Sequence, residues 1–223
     1  MKKVLIVNNN MKIGGVQRAL INLLKEINNK FDITLFLFDT SGEYYNEIPE
    51  NVKVVKASSV LRVLGISVAE SRKLGIKYFL AKIFFASLTK LIGNKLSISL
   101  ICVLEPKLKG YDVGISYMQS SPKKNFYGGT NEFVLERVDA KKKISFVHCD
   151  YENYGGDLKY AKKMYQSFDK IAFCSKGCKD VFLKLLPEFQ SKSYVVYNCM
   201  DIKEINELAL KDTIKYKAKT NIL

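Results

Sequence analysis

The 223-residue sequence predicts a doubly wound α/β domain on a parallel sheet. The first observation is its opening: a short β-branched run at residues 3–8, a break at Gly14-Gly15, then Val16, Leu20, Leu23, Leu24 and Ile27 at helical spacing. The second is the return of strand-like runs at residues 31–38, 52–55, 112–118, 143–148, 171–175 and 193–197. The third is that helical patterns separate most of these runs, as right-handed crossovers require.

Taken in order, the run at residues 3–8 ends in polar side chains, as a buried strand reaching a crevice does. Asn28-Asn29 closes the first helix, and the turn-rich Ser41-Gly42 and Ile48-Pro49 precede the third strand. Residues 60–108 interrupt the alternation and read as helical throughout. Leu74, Tyr78, Ala81, Phe85, Leu88 and Ile92 form one stripe in steps of four and three. Helices are expected again at residues 131–138, 158–168, 176–186 (closed by Pro187) and 202–210. The domain thus fills residues 1–198, with residues 60–109 as a helical basic insertion and residues 199–223 as a tail.

Lys and Arg outnumber Asp and Glu by 36 to 22, a formal charge of +14. Such an excess favours an anionic partner or reflects a lysine-rich surface. Residues 60–109 hold nine basic against two acidic side chains, about half of that net charge. Lys73, Lys77, Lys82 and Lys90 alternate there with Phe84 and Phe85, a composition suited to anionic lipid. The alternative is a core-facing helix with a solvated basic edge, which the spread of the lysines around the helix favours. No RNP-like aromatic strand, zinc pattern or basic recognition helix supports nucleic-acid binding.

The apolar run at residues 4–7 is too short for a signal-peptide core. The longest greasy stretch, residues 78–92, is interrupted by Lys82 and Lys90 and falls short of the ~20 residues that span a bilayer. Five scattered cysteines without a CxxC pair speak against a zinc site or a disulfide framework. Reduced thiols in a cytoplasmic, soluble or membrane-peripheral protein fit this pattern.

In doubly wound sheets, ligands sit beyond the carboxyl ends of the strands. That rule selects residues 8–15, 116–121, 148–151, 175–177 and 198–201. Gly14-Gly15 is either a plain tight turn or a close approach to phosphate at a helix N-terminus. No GxGxxG or GxxxxGK[ST] motif accompanies it. His148, the only histidine, either bonds a loop carbonyl or meets a sugar hydroxyl or a phosphate oxygen. No nucleophile motif stands beside it.

Several stretches together resemble the N-terminal domain of glycosyltransferase family 4 and its bacterial polysaccharide-assembly relatives. They are KKVLIVNNNMKIGGVQRALINLLKEI, YDVGISYM, KKISFVHCDY, FDKIAFCSKGCKDVFLK and SYVVYNCMDIKEINELA, in the family's order over nearly the whole chain. Gln17 stands where the family often has Glu, and Asn198-Cys199 where its hinge often reads Asn-Pro or Asn-Gly. The family's pair of acidic residues seven apart, in its donor-binding domain, has no counterpart here. Residues 220–223 resemble the opening of that domain's first strand.

The resemblance implies a Rossmann-like N-terminal half of a GT-B fold. It implies a retaining, metal-independent transferase of the hexosyltransferase type in cell-surface (capsule-like) polysaccharide synthesis. A nucleotide-sugar, UDP-linked in this reading, is the co-substrate, no other cofactor is needed, and the acceptor is a glycan or a lipid-linked glycan. His148 takes the catalytic place. Gly14, Gly15, Gln17, Ser116, Ser175 and Asn198 take the donor-phosphate and acceptor places. Lys73, Lys77, Lys82, Phe84, Phe85 and Lys90 take the membrane contact, at the inner face of the cell membrane. This chain alone is expected to be inactive, the donor-binding half being supplied by a further domain or a partner subunit. The alternatives are a non-catalytic, membrane-anchoring subunit of a split transferase and, more distantly, a GT-B-fold epimerase.

Overall fold

A computed structural model of the chain describes residues 1–122, 124–155 and 157–211. The expected strand opening at residues 220–223 lies outside them. The described strands are β1 (Lys3–Asn8), β2 (Asp32–Leu37), β3 (Lys53–Lys56), β4 (Leu108–Ser116), β5 (Val138–Val147), β6 (Lys170–Phe173) and β7 (Ser193–Val195). The described α-helices are α1 (Gly15–Ile27), α2 (Val68–Leu74), α3 (Ile76–Ile92), α4 (Asn94–Cys102), α5 (Thr130–Arg137), α6 (Leu158–Gln166), α7 (Lys176–Leu185) and α8 (Ile202–Lys211). The strands form one seven-stranded sheet in the order β3-β2-β1-β4-β5-β6-β7, parallel throughout. The doubly wound parallel sheet expected from the sequence is the fold observed.

Alternation along β1 divides the core between the two faces of the sheet. Val4 and Ile6 pack with Leu20, Ile21 and Leu24 of α1, while Leu5 and Val7 face the opposite cluster with Phe36, Phe38, Phe133 and Val134. Phe36 of β2 stacks on Phe133 of α5 with ring centroids 4.7 Å apart. Strand β1 pairs with β2 on one side and β4 on the other, so the chain reverses its direction of travel across the sheet there. The switch-point crevice therefore lies beyond Asn8 and Ser116.

Three sequence expectations need correction. The stripe from Leu74 to Ile92 is not one helix: Gly75, at φ 121°, ends α2 and starts α3, a conformation glycine adopts without steric cost. Its end members Leu74 and Ile92 are exposed. The inner side of α3 keeps Tyr78, Ala81 and Phe85 of that stripe and adds Lys82 and Thr89. Strands β4 and β5 also begin earlier than the sequence indicates. Their early residues, Leu108 and Val138, pair before a register irregularity between Leu108 and Tyr111. Gly110, at φ 87°, sits in that irregularity, where its lack of a Cβ lets the strand deviate.

Candidate functional site

The crevice is built from loops at the carboxyl ends of β1, β4, β5 and β6, together with residues 198–201 after β7. Its floor is polar and buried. Asn8, Asn9 and Asn10 are all inaccessible to solvent or nearly so. The Asn10 amide donates to the Gly65 carbonyl (2.8 Å) and to the Tyr127 hydroxyl (3.0 Å), and its oxygen accepts from the Gln17 amide (3.3 Å). Both amide atoms of Asn9 and the Asn8 oxygen have no protein hydrogen-bond partner. The Asn10 and Gln17 bonds join β1, α1, the residue 65 turn and the loop before α5 into one wall.

Gly14 occupies the N-cap of α1, and no side chain caps that helix. The first-turn N–H groups and the positive end of the helix dipole are therefore available to an anion. A Cβ on Gly14 would meet Gln17 Oε1 at 2.5 Å, whereas one on Gly15 would enter open space. Gly15 also lines a cavity of about 430 Å³ with Arg18, Asn22, Asn198, Asp201 and Glu204. Its acidic wall is neutralised: Glu204 lies 3.7 Å from Arg18 and 3.4 Å from Lys25, and Asp201 lies 3.6 Å from Lys25. The Asn22 amide donates to the Cys199 carbonyl (3.0 Å), so the segment after β7 is tied to α1.

His148 follows the last residue of β5. Its ring packs on Tyr117 (4.8 Å between centroids) and Phe146 (5.6 Å). Burial pushes its pKa down to about 4, against a smaller upward pull from a hydrogen bond with the Tyr117 backbone. The ring is neutral at pH 7. Its Nε2 is buried and without a protein partner. That nitrogen is left for a hydrogen bond with a ligand hydroxyl.

Two of the serines singled out in the sequence serve the scaffold. Ser116 is wholly buried and its hydroxyl lies 2.8 Å from Thr130 Oγ1 and 3.0 Å from the Met118 carbonyl, bracing the start of α5. It is not positioned to touch a ligand. Ser175 is the N-cap of α7, accepting from the Cys178 N–H at 3.1 Å.

Of the lipid-contact residues named from the sequence, Lys82 is 4% exposed. Its Nζ donates to the carbonyls of Val63 and Phe126, each at 2.9 Å. Burial lowers its pKa to about 8. It pins α3 to the crevice wall and cannot reach a membrane. Phe85 likewise turns inward and stacks on Phe126 at 5.8 Å. Lys73, Lys77, Phe84 and Lys90 are exposed.

The three asparagines lie within the strand-end segment 8–15 that the sequence selects, although no role was given to them individually, whereas the loop before α5 was not singled out. Gly128 and Gly129, at φ 86° and 94°, let that loop fold over Asn9 and start α5. The doublet before Thr130 is the signal that marked it. A buried polar cluster lies beneath: Ser145 donates to Asn131 (2.7 Å), and Tyr160 donates to Glu132 (2.8 Å). Burial raises the Glu132 carboxyl above its ordinary pKa, against hydrogen bonds from Tyr160 and Ser120. Among the described residues no group of three or more His, Cys, Asp or Glu could hold a metal ion, and all five cysteines are free. No described helix is long and apolar enough to cross a membrane.

The sequence matches no protein-family profile and no curated protein. Among solved structures, the chain is similar to Alr3699/HepE of Anabaena in complex with UDP and glucose. The TM-score is 0.53 at 14% identity, and the match covers 95% of this chain and 50% of that one. The likeness is one of fold, and the chain spans about half the length of that structure.

Proposed function

We propose that this chain is the acceptor-side half of a GT-B sugar transferase resembling family 4. It would serve transfer from a UDP-linked sugar to a glycan or lipid-linked acceptor, with retention, in polysaccharide synthesis at the inner face of a membrane. Residues 1–198 would form the half itself, and residues from 199 onward the hinge toward a donor-binding half. The observation that carries this reading is the fold match over 95% of the chain to half of a protein holding UDP and glucose.

The site chemistry is compatible with that role. The uncapped start of α1 behind Gly14-Gly15 would offer N–H groups to a diphosphate as the second half closes. Charge developing on the departing phosphate would be stabilised there without a general base. His148, neutral and with Nε2 unpaired, would orient a sugar hydroxyl rather than protonate a leaving group. Gln17 would hold the Asn10 wall in register, and Asn198 would sit at the hinge side of the cavity.

Calorimetry with UDP-, GDP- and ADP-sugars tests the division of labour. The 223-residue chain should lack micromolar affinity and transfer nothing, while a protein joining it to a donor-binding half should turn over. Turnover by this chain alone would refute the division. The uncovered apolar face of α3 favours a second reading, a non-catalytic anchoring subunit. In that case a partner chain would keep full turnover when His148 is replaced.

A further inference from the structure

We propose that Cys174 and Cys178 are an oxidisable dithiol, closing to a disulfide when a hydroperoxide reaches the carboxyl end of β6. Both are free, half-buried thiols, and their Sγ atoms lie 3.8 Å apart. Local structure brings them together. Cys174 directly follows β6, and its N–H donates to the Val147 carbonyl at the end of β5 (3.3 Å). Ser175 is the N-cap of α7, and its hydroxyl accepts from the Cys178 N–H at 3.1 Å. That cap draws the third residue of the helix back toward the residue before the cap, and the two sulfurs meet there. A Cβ on Gly177 would meet nothing nearer than Ser175 Oγ at 3.9 Å, so the turn that carries the pair is uncrowded. A spacing of four residues is not a CxxC motif, and only the capped turn makes neighbours of these thiols.

The two sulfurs are not equivalent. Cys178 stands in the first turn of α7, where helix N–H groups and the dipole favour an anion, and Lys176 and Lys179 flank it in sequence. Cys174 is held as a thiol: burial first, and then the Cys178 sulfur, push its pKa up to about 11. Cys178 therefore supplies the attacking sulfur and Cys174 the resolving one. The Cys178 thiolate attacks one oxygen of hydrogen peroxide, the O–O bond breaks, and the hydroxide released regains the proton that Cys178 had lost. Cys178 is then a sulfenic acid. The Cys174 sulfur attacks the Cys178 sulfur, the S–S bond forms as the S–O bond breaks, and the Cys174 proton leaves with the hydroxyl as water. Two thiols have lost two electrons and two protons, and the peroxide has become two waters.

The neighbouring thiol is less suited. Cys149, directly after His148, is pushed up to about 12 by burial, with a smaller contribution from the Cys178 and Cys174 sulfurs. It lies beside the pair as a protonated thiol. The proposal goes beyond the sugar transfer proposed above and does not depend on it.

Peroxide titration of the 223-residue chain tests it. After reduction with dithiothreitol and removal of the reductant, a few equivalents of hydrogen peroxide should lower the free thiols from five to three and the intact mass by two hydrogens. Peptide mapping should find Cys174 joined to Cys178 within one chain, and dithiothreitol should restore all five thiols. Cys174→Ser should stop at a sulfenic acid on Cys178, trapped by dimedone. Cys178→Ser should form no cross-link, and Cys149→Ser should form the same one as the parent. The linkage map of the parent decides the matter even where a variant fails to fold. Five surviving thiols, oxidation of single cysteines without a cross-link, or a cross-link through Cys149 or Cys199 or between chains would overturn the proposal. Sugar transfer plays no part in this readout, so its failure leaves the function proposed above untouched.

Discussion

Helices α1 and α3 carry similar apolar repeats and use them in opposite ways. In α1 the repeat faces the sheet: Ala19, Leu20, Ile21 and Leu24 are buried, while Lys25 and Glu26 are exposed. In α3 the inner side includes Lys82 and Thr89, and four large apolar side chains face out. A sheet-covering helix meets a uniformly apolar surface, so polarity maps onto burial. The insertion meets a loop wall whose buried carbonyls need donors, and an ammonium that finds two of them is retained inside. The contrast shows that a lysine's position relative to an apolar stripe does not by itself say which side of a helix is wet.

Substitutions at matched positions sharpen this contrast, and the largest effect belongs to α1. Leu20→Ala removes a fully buried side chain and should cost about 3–4 kcal/mol in denaturant unfolding. A buried polar ring gives the next effect. His148 has a folded pKa of about 4 against an ordinary 6.5. The unfolded chain therefore takes up a proton in a window where the folded chain does not. Stability should be level above pH 6.5 and fall as pH drops from 6.5 toward 4, by at most about 3 kcal/mol. His148→Gln should remove that slope, which stability measured across the window would reveal.

Lys82→Met comes next. It keeps the stem's packing but leaves the Val63 and Phe126 carbonyls without their donor, for a loss of about 2 kcal/mol. An unchanged melting temperature would mean that the ammonium's own burial cost cancels its bonds. The smallest effect is expected on the outer side of the same helix. Phe84→Ser should change stability by no more than about 1 kcal/mol, because the side chain is 61% exposed and meets the core only edge-on at Phe85. A larger loss would mean that the outer side is packed in solution.

The sheet was legible because its signals are local and redundant. Residues 3–8, Gly14-Gly15 and the helix to Ile27 were placed nearly to the residue, since a β-branched run, a glycine break and a 3.6-residue period agree there. The insertion was legible as helical but not in its break or its facing. Gly75 lies within an uninterrupted periodic pattern, and only its backbone conformation ends the helix. In the site, His148 and the glycine pair stood out by position at strand ends. Ser116 stood out equally, yet it turns inward to Thr130, a partner 14 residues on that no local pattern indicates. The asparagine run was placed at the crevice by its strand-end position, but its partners and the loop over it were not legible, because they depend on contacts with Gly65 and Tyr127 far along the chain.

The most direct test of the proposed function is the turnover of His148→Ala in a protein uniting this chain with a donor-binding half, followed with a UDP-linked sugar. If the free Nε2 orients a sugar hydroxyl, kcat should fall by at least about tenfold, with only a small change in melting temperature at neutral pH. Undiminished turnover together with a lowered melting temperature would contradict it, leaving His148 as a packing residue between Tyr117 and Phe146.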